Sequence, residues 1–352
     1  MKRIVIYSGK FNNGHVTGLM GWYQTFEYLG YYVELALPMD YLTYFSSEYK
    51  IINNKNINFC NFDIVFIFNL SLHDQFIITE AKRHNSNIKI LFLHHEPWRG
   101  FKLEKERLTL SFSMGIKILS KKIIAKRVIK NSDCIILPSK NSYEIYKKNE
   151  SKYNSRYEYT NLIIVDSEHG DLRINKRYFS FIATATRDKG IDIFFEFVKY
   201  CFSKAYDITF SITTKTDLTQ YIDKDIEEII KNGYLLLKHG KPLSETEMNE
   251  AYDNSLCSWL VYLSSSQSGV LPKCLLWGSP VVASKTGVFL EQIDGKNGIL
   301  IEKVDDFEEI YCAYKKIKDN KTAYINNARK TYERFYSIES NAKTVERIIN
   351  AL

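Results

Sequence analysis

Short apolar runs recur along the chain, each four to six residues long and flanked by turn-forming residues. Lys2–Tyr7, Tyr32–Leu37, Asp63–Phe68, Ile88–Leu93, Asp133–Pro138 and Leu162–Val165 read as strands. Helical spacing lies between them over Trp22–Leu29, Phe76–Arg83, 101–130 and Ser142–Lys148. Runs that are apolar on both faces are what buried parallel strands require. After residues 170–176 the alternation starts again, with strands at Phe179–Ala185, Asp207–Thr213, Tyr234–Lys238, Leu256–Tyr262 and Val281–Ser284. Ile191–Ser203, Ile226–Asn232, Ser244–Asn254 and Leu271–Trp277 are the intervening helices. The pattern predicts two consecutive doubly wound, Rossmann-like α/β domains, 1–172 and 173–322. A last helix, 323–350, carries Tyr332, Phe335 and Tyr336 and has no evident place in the second sheet. Gly295 and Gly298 bracket what reads as a polar hairpin. In open parallel sheets ligands lie beyond the carboxyl ends of the strands, so two such domains facing one another would form a cleft.

Composition narrows the classes. With 352 residues and 45% hydrophobic content there is material for two cores. The apolar run after the basic N-terminus is too short for a signal peptide, and no window approaches the ~18 apolar residues of a membrane span. A cytoplasmic protein is expected. Six scattered cysteines without a CxxC pair predict buried free thiols, not zinc or disulfides. A net charge of +7 points to anionic partners. Residues 101–130 hold nine Lys/Arg against two Glu, with Ile116, Leu119, Ile123 and Ile124 interleaved. That is the composition of a helix lying on an anionic membrane surface, or of a solvated helix face. No nucleic-acid-binding module is present, and nucleic acid is not an expected partner.

Several clusters carry candidate chemistry. Arg187 and Lys189-Gly190 follow a strand that ends in small residues and precede a helix. Two cations there suit a diphosphate leaving group, whose charge grows in the transition state. Ser244 and Glu247 form an S-x-x-E capping box, which explains both residues structurally. His94-His95-Glu96 ends a strand, and neighbouring side chains there point to opposite faces, so only one histidine can face the cleft. Glu168-His169-Gly170-Asp171 is a polar turn near the seam, equally suited to a linker or a site. The loop Gly9–Gly18 is neither G-x-G-x-x-G nor a P-loop.

The order of SSSQSGVLPKCLLWGSPVVAS, Gly287, Glu291 and D-G-x-N-G over 264–301, with Lys189-Gly190-Ile191 and the Gly240-x-Pro242-Leu-Ser244-x-x-Glu247 run upstream, resembles retaining GT-B glycosyltransferases of the large family four. The resemblance implies sugar transfer from a nucleotide diphosphate sugar, UDP foremost, to a hydroxyl of a growing glycan, with retention and with no metal or other cofactor. Arg187 and Lys189 would hold the diphosphate, with Thr186 beside them. Gln267 and the backbone of Ser268, Gly269 and Val270 would meet the donor sugar, Glu291 would lie near its pocket, and the base would rest near His239. His94 or His95 would face the reacting centre. Gly14, His15 and Thr17 would line the donor phosphate and acceptor. Most family members carry two glutamates in the donor loop. Here the second falls at Lys273 and the first near 265–267, so neither acid is present. Lys273 cannot accept hydrogen bonds from a ribose and is expected to meet phosphate instead. The last helix would cross back to the first domain. The Ile-, Lys-, Asn- and Tyr-rich composition suggests a bacterial source, hence a lipid-linked surface polysaccharide, O-antigen or capsule, as acceptor. Two other readings stay open: a nucleotide-sugar 2-epimerase of the same fold, and a non-catalytic subunit that binds a glycan or a partner.

Overall fold

A computed structural model describes residues 1–71, 74–98, 112–166, 172–265 and 267–352. The chain divides into two compact units: Met1–Val165 with Phe335–Leu352, and Asp166–Arg334. The sequence-based limits of 172 and 323 thus differ by several residues from those of the folded units.

In the first unit, β1 (Arg3–Ser8), β2 (Tyr32–Leu37), β3 (Ile51–Asn53), β4 (Ile64–Asn69), β5 (Lys89–Leu93), β6 (Cys134–Leu137) and β7 (Tyr157–Tyr159) form one sheet. Its order is β3-β2-β1-β4-β5-β6-β7, and every pairing is parallel. Apolar side chains fill both faces. Ile4, Ile6, Phe66 and Leu91 face one layer, and Val5, Val65, Ile67 and Ile90 the other. Burying each such side chain contributes ~1.5–3 kcal/mol. The expected strand Leu162–Val165 is not one. Ile163, Ile164 and Val165 are buried, but the Ile164 amide donates to the Tyr336 carbonyl at 3.1 Å, away from the sheet. The seventh place in the sheet goes to the more polar Tyr157–Tyr159. A helix begins at Val16, so Thr17 and Gly18 belong to its first turns and not to a loop.

The predicted last helix is two helices, Lys321–Phe335 and Ile338–Asn350. Ser337 separates them because its side chain accepts from the Ser340 amide, capping the second. Val345, Ile348 and Ile349 of that second helix enter the first unit's core beside Trp22 and Tyr23.

In the second unit, β8 (Tyr178–Ile182), β9 (Phe210–Thr213), β10 (Leu235–Lys238), β11 (Ser255–Leu260), β12 (Val281–Ser284) and β13 (Gly298–Ile301) form a sheet of order β10-β9-β8-β11-β12-β13, again all parallel. Phe179, Phe194, Phe197, Phe210 and Trp259 meet at centroid separations of 5.1–6.2 Å. The expected hairpin at 295–298 is instead the entry to β13, which runs parallel to β12. A parallel pair needs a crossover, and here the short helix Phe289–Gln292 supplies it. Among the described residues no helix is long and apolar enough to cross a membrane.

Candidate functional site

Both sheets bring their candidate residues to the carboxyl ends of the strands, and each edge is built by its own unit. In the second unit the backbone leaving β8 is pinned at once. The Ala185 amide donates to the hydroxyls of Thr214 (3.2 Å) and Thr216 (3.0 Å) beyond β9. Arg187–Lys189 then makes a single 3₁₀ turn. Gly190 closes it at φ +71°, where an added Cβ would lie 2.4 Å from the Val261 carbonyl oxygen. The Trp259 indole N–H donates to the Lys189 carbonyl (3.2 Å), and the Leu263 amide donates to that of Asp188 (2.8 Å). The basic turn is thereby fastened to the exit of β11.

Lys189 is half-buried, and burial lowers its ammonium below the usual lysine value, Lys215 adding to the effect and Asp188 opposing it. Among the described residues no carboxylate lies within ion-pairing distance of it. Arg187 is 80% exposed and 3.5 Å from Asp192, and Thr186 is exposed beside it.

The loop after β11 holds the next group. Gly287, at φ +52°, lies so close to it that a Cβ would stand 1.3 Å from the Ser265 carbonyl oxygen. Ser268 is buried and its hydroxyl accepts from the Leu271 amide at 3.2 Å, which starts the helix Val270–Leu276. Gly269 is exposed and has open space where a side chain would be. Among the described residues, Gln267 Oε1 is buried without a hydrogen-bond partner. So is the Tyr262 hydroxyl, which Ser268 adjoins without completing a bond of normal geometry. Lys273 is half-buried, and burial lowers its pKa against the pull of Glu245. Glu291 lies in the helix Phe289–Gln292, half-buried, with Gln292 Nε2 donating to it at 3.5 Å. The fold thus gathers Thr186, Arg187, Lys189 and the 264–270 loop at adjacent strand exits. His239, at the exit of β10, stands two strands from β8. Its Nδ1 accepts from the Leu218 amide (3.1 Å), so it fastens the loop after β9.

In the first unit the two neighbouring histidines part. His94 is buried with its ring stacked on Phe92, and its Nε2 lies 2.9 Å from Glu150 Oε2, which also accepts from the Trp98 amide at 3.0 Å. Burial raises the Glu150 pKa, but those two bonds outweigh it and the net shift is downward. His94 is therefore committed to a structural hydrogen bond inside the unit. His95 turns the other way, donates from Nε2 to the Phe68 carbonyl (3.0 Å) and stacks on His15 with centroids 5.5 Å apart and planes at 16°. Burial lowers the pKa of His95 to about 4 and of His15 to about 3, so both rings are neutral at pH 7. Asn12 organises the loop. Its amide donates to the Tyr41 hydroxyl (3.0 Å), its Oδ1 accepts from the exposed Gly14 amide (3.1 Å), and its Nδ2 meets His15 Nε2 (3.0 Å). Among the described residues, His15 Nδ1 and Asn69 Nδ2 are buried without partners. Thr17 is buried in the first turn of its helix. The turn 168–171 lies outside the described residues, as does much of 101–130.

Sequence reading missed Asn12, Asn69, Glu150, Thr214, Thr216 and Trp259. The two threonines, directly after a strand, were the only ones with a local signal. The other four act through contacts distant in sequence or through the conformation of a loop.

No family model matches the chain, and no curated protein matches it. Solved structures do. HepE of Anabaena with UDP-glucose is 13% identical, at a TM-score of 0.69 over 100% of both chains. Sucrose-phosphate synthase of Thermosynechococcus elongatus is 12% identical, at 0.67 over 100% of this chain and 99% of that one. An alpha-glucosyltransferase with UDP and a 13-mer DNA is 15% identical, at 0.66 over 99% of each. At such identities the likeness is one of fold: the chain has the GT-B architecture, two Rossmann-like units, over its whole length.

Proposed function

We propose that this protein is a glycosyltransferase that moves a sugar from a nucleotide diphosphate sugar to a hydroxyl acceptor. The observation that carries the reading is Lys189, half-buried, with no carboxylate within ion-pairing distance among the described residues, and locked by Gly190 and Trp259 beside the loop after β11. Partly burying an ammonium is costly unless an anion completes it, and a ligand's phosphate would do so. Structural neighbours determined with UDP or UDP-glucose support a uridine diphosphate sugar as the first donor to test. In the reaction the bond from the anomeric carbon to the β-phosphate oxygen breaks. The acceptor oxygen attacks from the face the diphosphate leaves, and that phosphate oxygen takes its proton. Retention and independence of metal and cofactor belong to the proposal. Lys189 and Arg187 would stabilise the departing diphosphate, where charge grows.

A lipid-linked bacterial surface glycan is the proposed acceptor. It is supported by the helix Phe112–Asn131, where Ile123 is 62% exposed and Lys126, Arg127 and Lys130 are also exposed. That mixture suits peripheral docking on an anionic leaflet.

The test is thermal shift of the purified protein against UDP, GDP, CDP, ADP and dTDP, with Lys189→Ala alongside. A nucleotide at about 100 times its Kd stabilises by about 2.7 kcal/mol. One nucleotide should raise Tm in the wild type and not in the variant. No response to any of them would remove the proposal and leave the non-catalytic reading, which the missing acids and Lys273 favour. Hydrolysis of the matching nucleotide sugar without acceptor would remove that second reading.

A further inference from the structure

Arg329 lies in the helix Lys321–Phe335 with its side chain only 12% exposed, and each nitrogen of its guanidinium has an acceptor. Nε donates to the Glu333 carboxylate (3.0 Å) on the same helix, Nη1 to the Leu276 carbonyl (3.0 Å), and Nη2 to the Asp166 carboxylate. Buried Tyr332 packs beside the fork, its ring centroid 4.9 Å from Cζ. The Leu276 bond completes a helix end. A helix leaves its last carbonyls without intrahelical partners. The turn after Leu276 supplies backbone amides to three of them: Trp277 to Lys273 (3.2 Å), Ser279 to Cys274 (2.8 Å) and Gly278 to Leu275 (3.0 Å). Arg329 supplies the fourth, to Leu276. The Asp166 bond reaches the linker. The chain passes between the units twice, at Val165–Asp166 and at Arg334–Phe335. Arg329 is bonded to the first passage and belongs to the helix that ends at the second.

From this geometry we infer that Arg329 is a positioning residue for the donor site, a role that rests on the glycosyl transfer proposed above. It clamps the far end of the helix Val270–Leu276 to Asp166 and so fixes the pose of the 268–273 segment at the near end. The helix is seven residues, about 10 Å, long, so a displacement of Leu276 reaches Ser268. Burial of Leu271, Cys274 and Leu275 holds this helix against the core, but apolar burial has no direction. The charged fork adds the direction. A lysine could not replace it, because one ammonium on a flexible stem does not hold three acceptors in a fixed plane.

Arg329→Lys is the informative substitution, since it keeps the charge and the stem and removes the fork. Hydrogen exchange, read by mass spectrometry without any ligand, should be faster at the 268–273 amides of the variant and unchanged in β8 and β11. Titration calorimetry should show a Kd about tenfold weaker for UDP, or for whichever of the five nucleotides raises Tm, the effect of one lost hydrogen bond to a charged group. Tm itself should stay close to that of the wild type. Asp166→Asn should move both readouts the same way and less far. Glu333→Gln, at a carboxylate 54% exposed, should move neither. In Arg329→Ala, millimolar guanidinium ion should restore the affinity and slow the exchange, whereas methylammonium should do neither. Unaltered exchange at 268–273, or altered exchange with unaltered nucleotide affinity, would overturn the inference. So would faster exchange throughout the second unit, which marks a residue that only stabilises the fold. A wild type that binds no nucleotide, with exchange changed as stated, would count against the proposed function and not against the clamp.

Discussion

Each candidate side chain is set apart by what its immediate neighbours allow. Lys189 and Arg187 sit two residues apart, yet one is half-buried and has no ion-pair partner among the described residues, while the other is exposed beside Asp192. Because burial lowers the Lys189 pKa, its charge should be lost at a lower pH than that of a free lysine. Nucleotide affinity should therefore weaken as pH rises through that lowered value. Lys189→Arg, charged throughout, should flatten the dependence, as titration calorimetry across alkaline pH would show. Glu150 has the opposite sign. Its folded pKa is depressed, so its contribution to stability is present above the ordinary carboxylate range and lost as pH falls through the folded value. Glu150→Gln should lower Tm at pH 7, less so in acid, and leave the nucleotide-induced shift intact. Any loss of that shift in Glu150→Gln would return His94 to the reaction centre. The sequence shows that one histidine of the pair faces away, since strand neighbours alternate. It does not show which, because Glu150 lies 56 residues further on.

At the scale of elements, the loops matter through the glycines that let them close. An alanine at 287 meets the Ser265 carbonyl and a positive φ together. Gly287→Ala should displace the 264–270 loop and abolish nucleotide binding with only a moderate fall in Tm. Gly269→Ala meets nothing. It should fold as the wild type does, so any loss of turnover there would report directly on a ligand that fills the space. A thermal melt and a nucleotide titration of the two variants, side by side, check both statements. The Lys189-Gly190 and Gly287 turns were legible beforehand because glycine and small residues mark close backbone approach. The Asn12 loop was not, since its chemistry depends on which end of one amide faces an imidazole. The failed hairpin at 295–298 has a similar origin: paired glycines signal a turn without saying whether the next strand returns or crosses over.

For the molecule as a whole, the core is rich in aromatic hydroxyls. Burial raises the pKa values of Tyr146, Tyr252, Tyr262 and Tyr314. A group whose folded pKa exceeds its unfolded value stabilises fully below the unfolded value, about 10 for tyrosine, and loses that contribution as pH rises beyond it. Lys176, buried and lowered to about 8, acts in the other direction between that value and the ordinary lysine range. Lys189 and Lys273, also lowered by burial, act with Lys176, but the sealed tyrosines are more numerous and stay in control. Melting temperature should hold to about pH 10 and then drop steeply. A gradual decline starting well below that would mean that the phenols are not sealed in the folded state.

The helix Ile338–Asn350 adds an order of events. It completes the core that β1 begins, whereas Asp166–Arg334 is a single uninterrupted stretch. On the ribosome the first unit emerges early but waits for Val345, Ile348 and Ile349 before Trp22 and Tyr23 are covered. The unit made later can close before it. Until that helix is made, the nascent chain therefore carries an apolar groove along its first helix, the kind of surface that chaperones hold and that aggregation exploits.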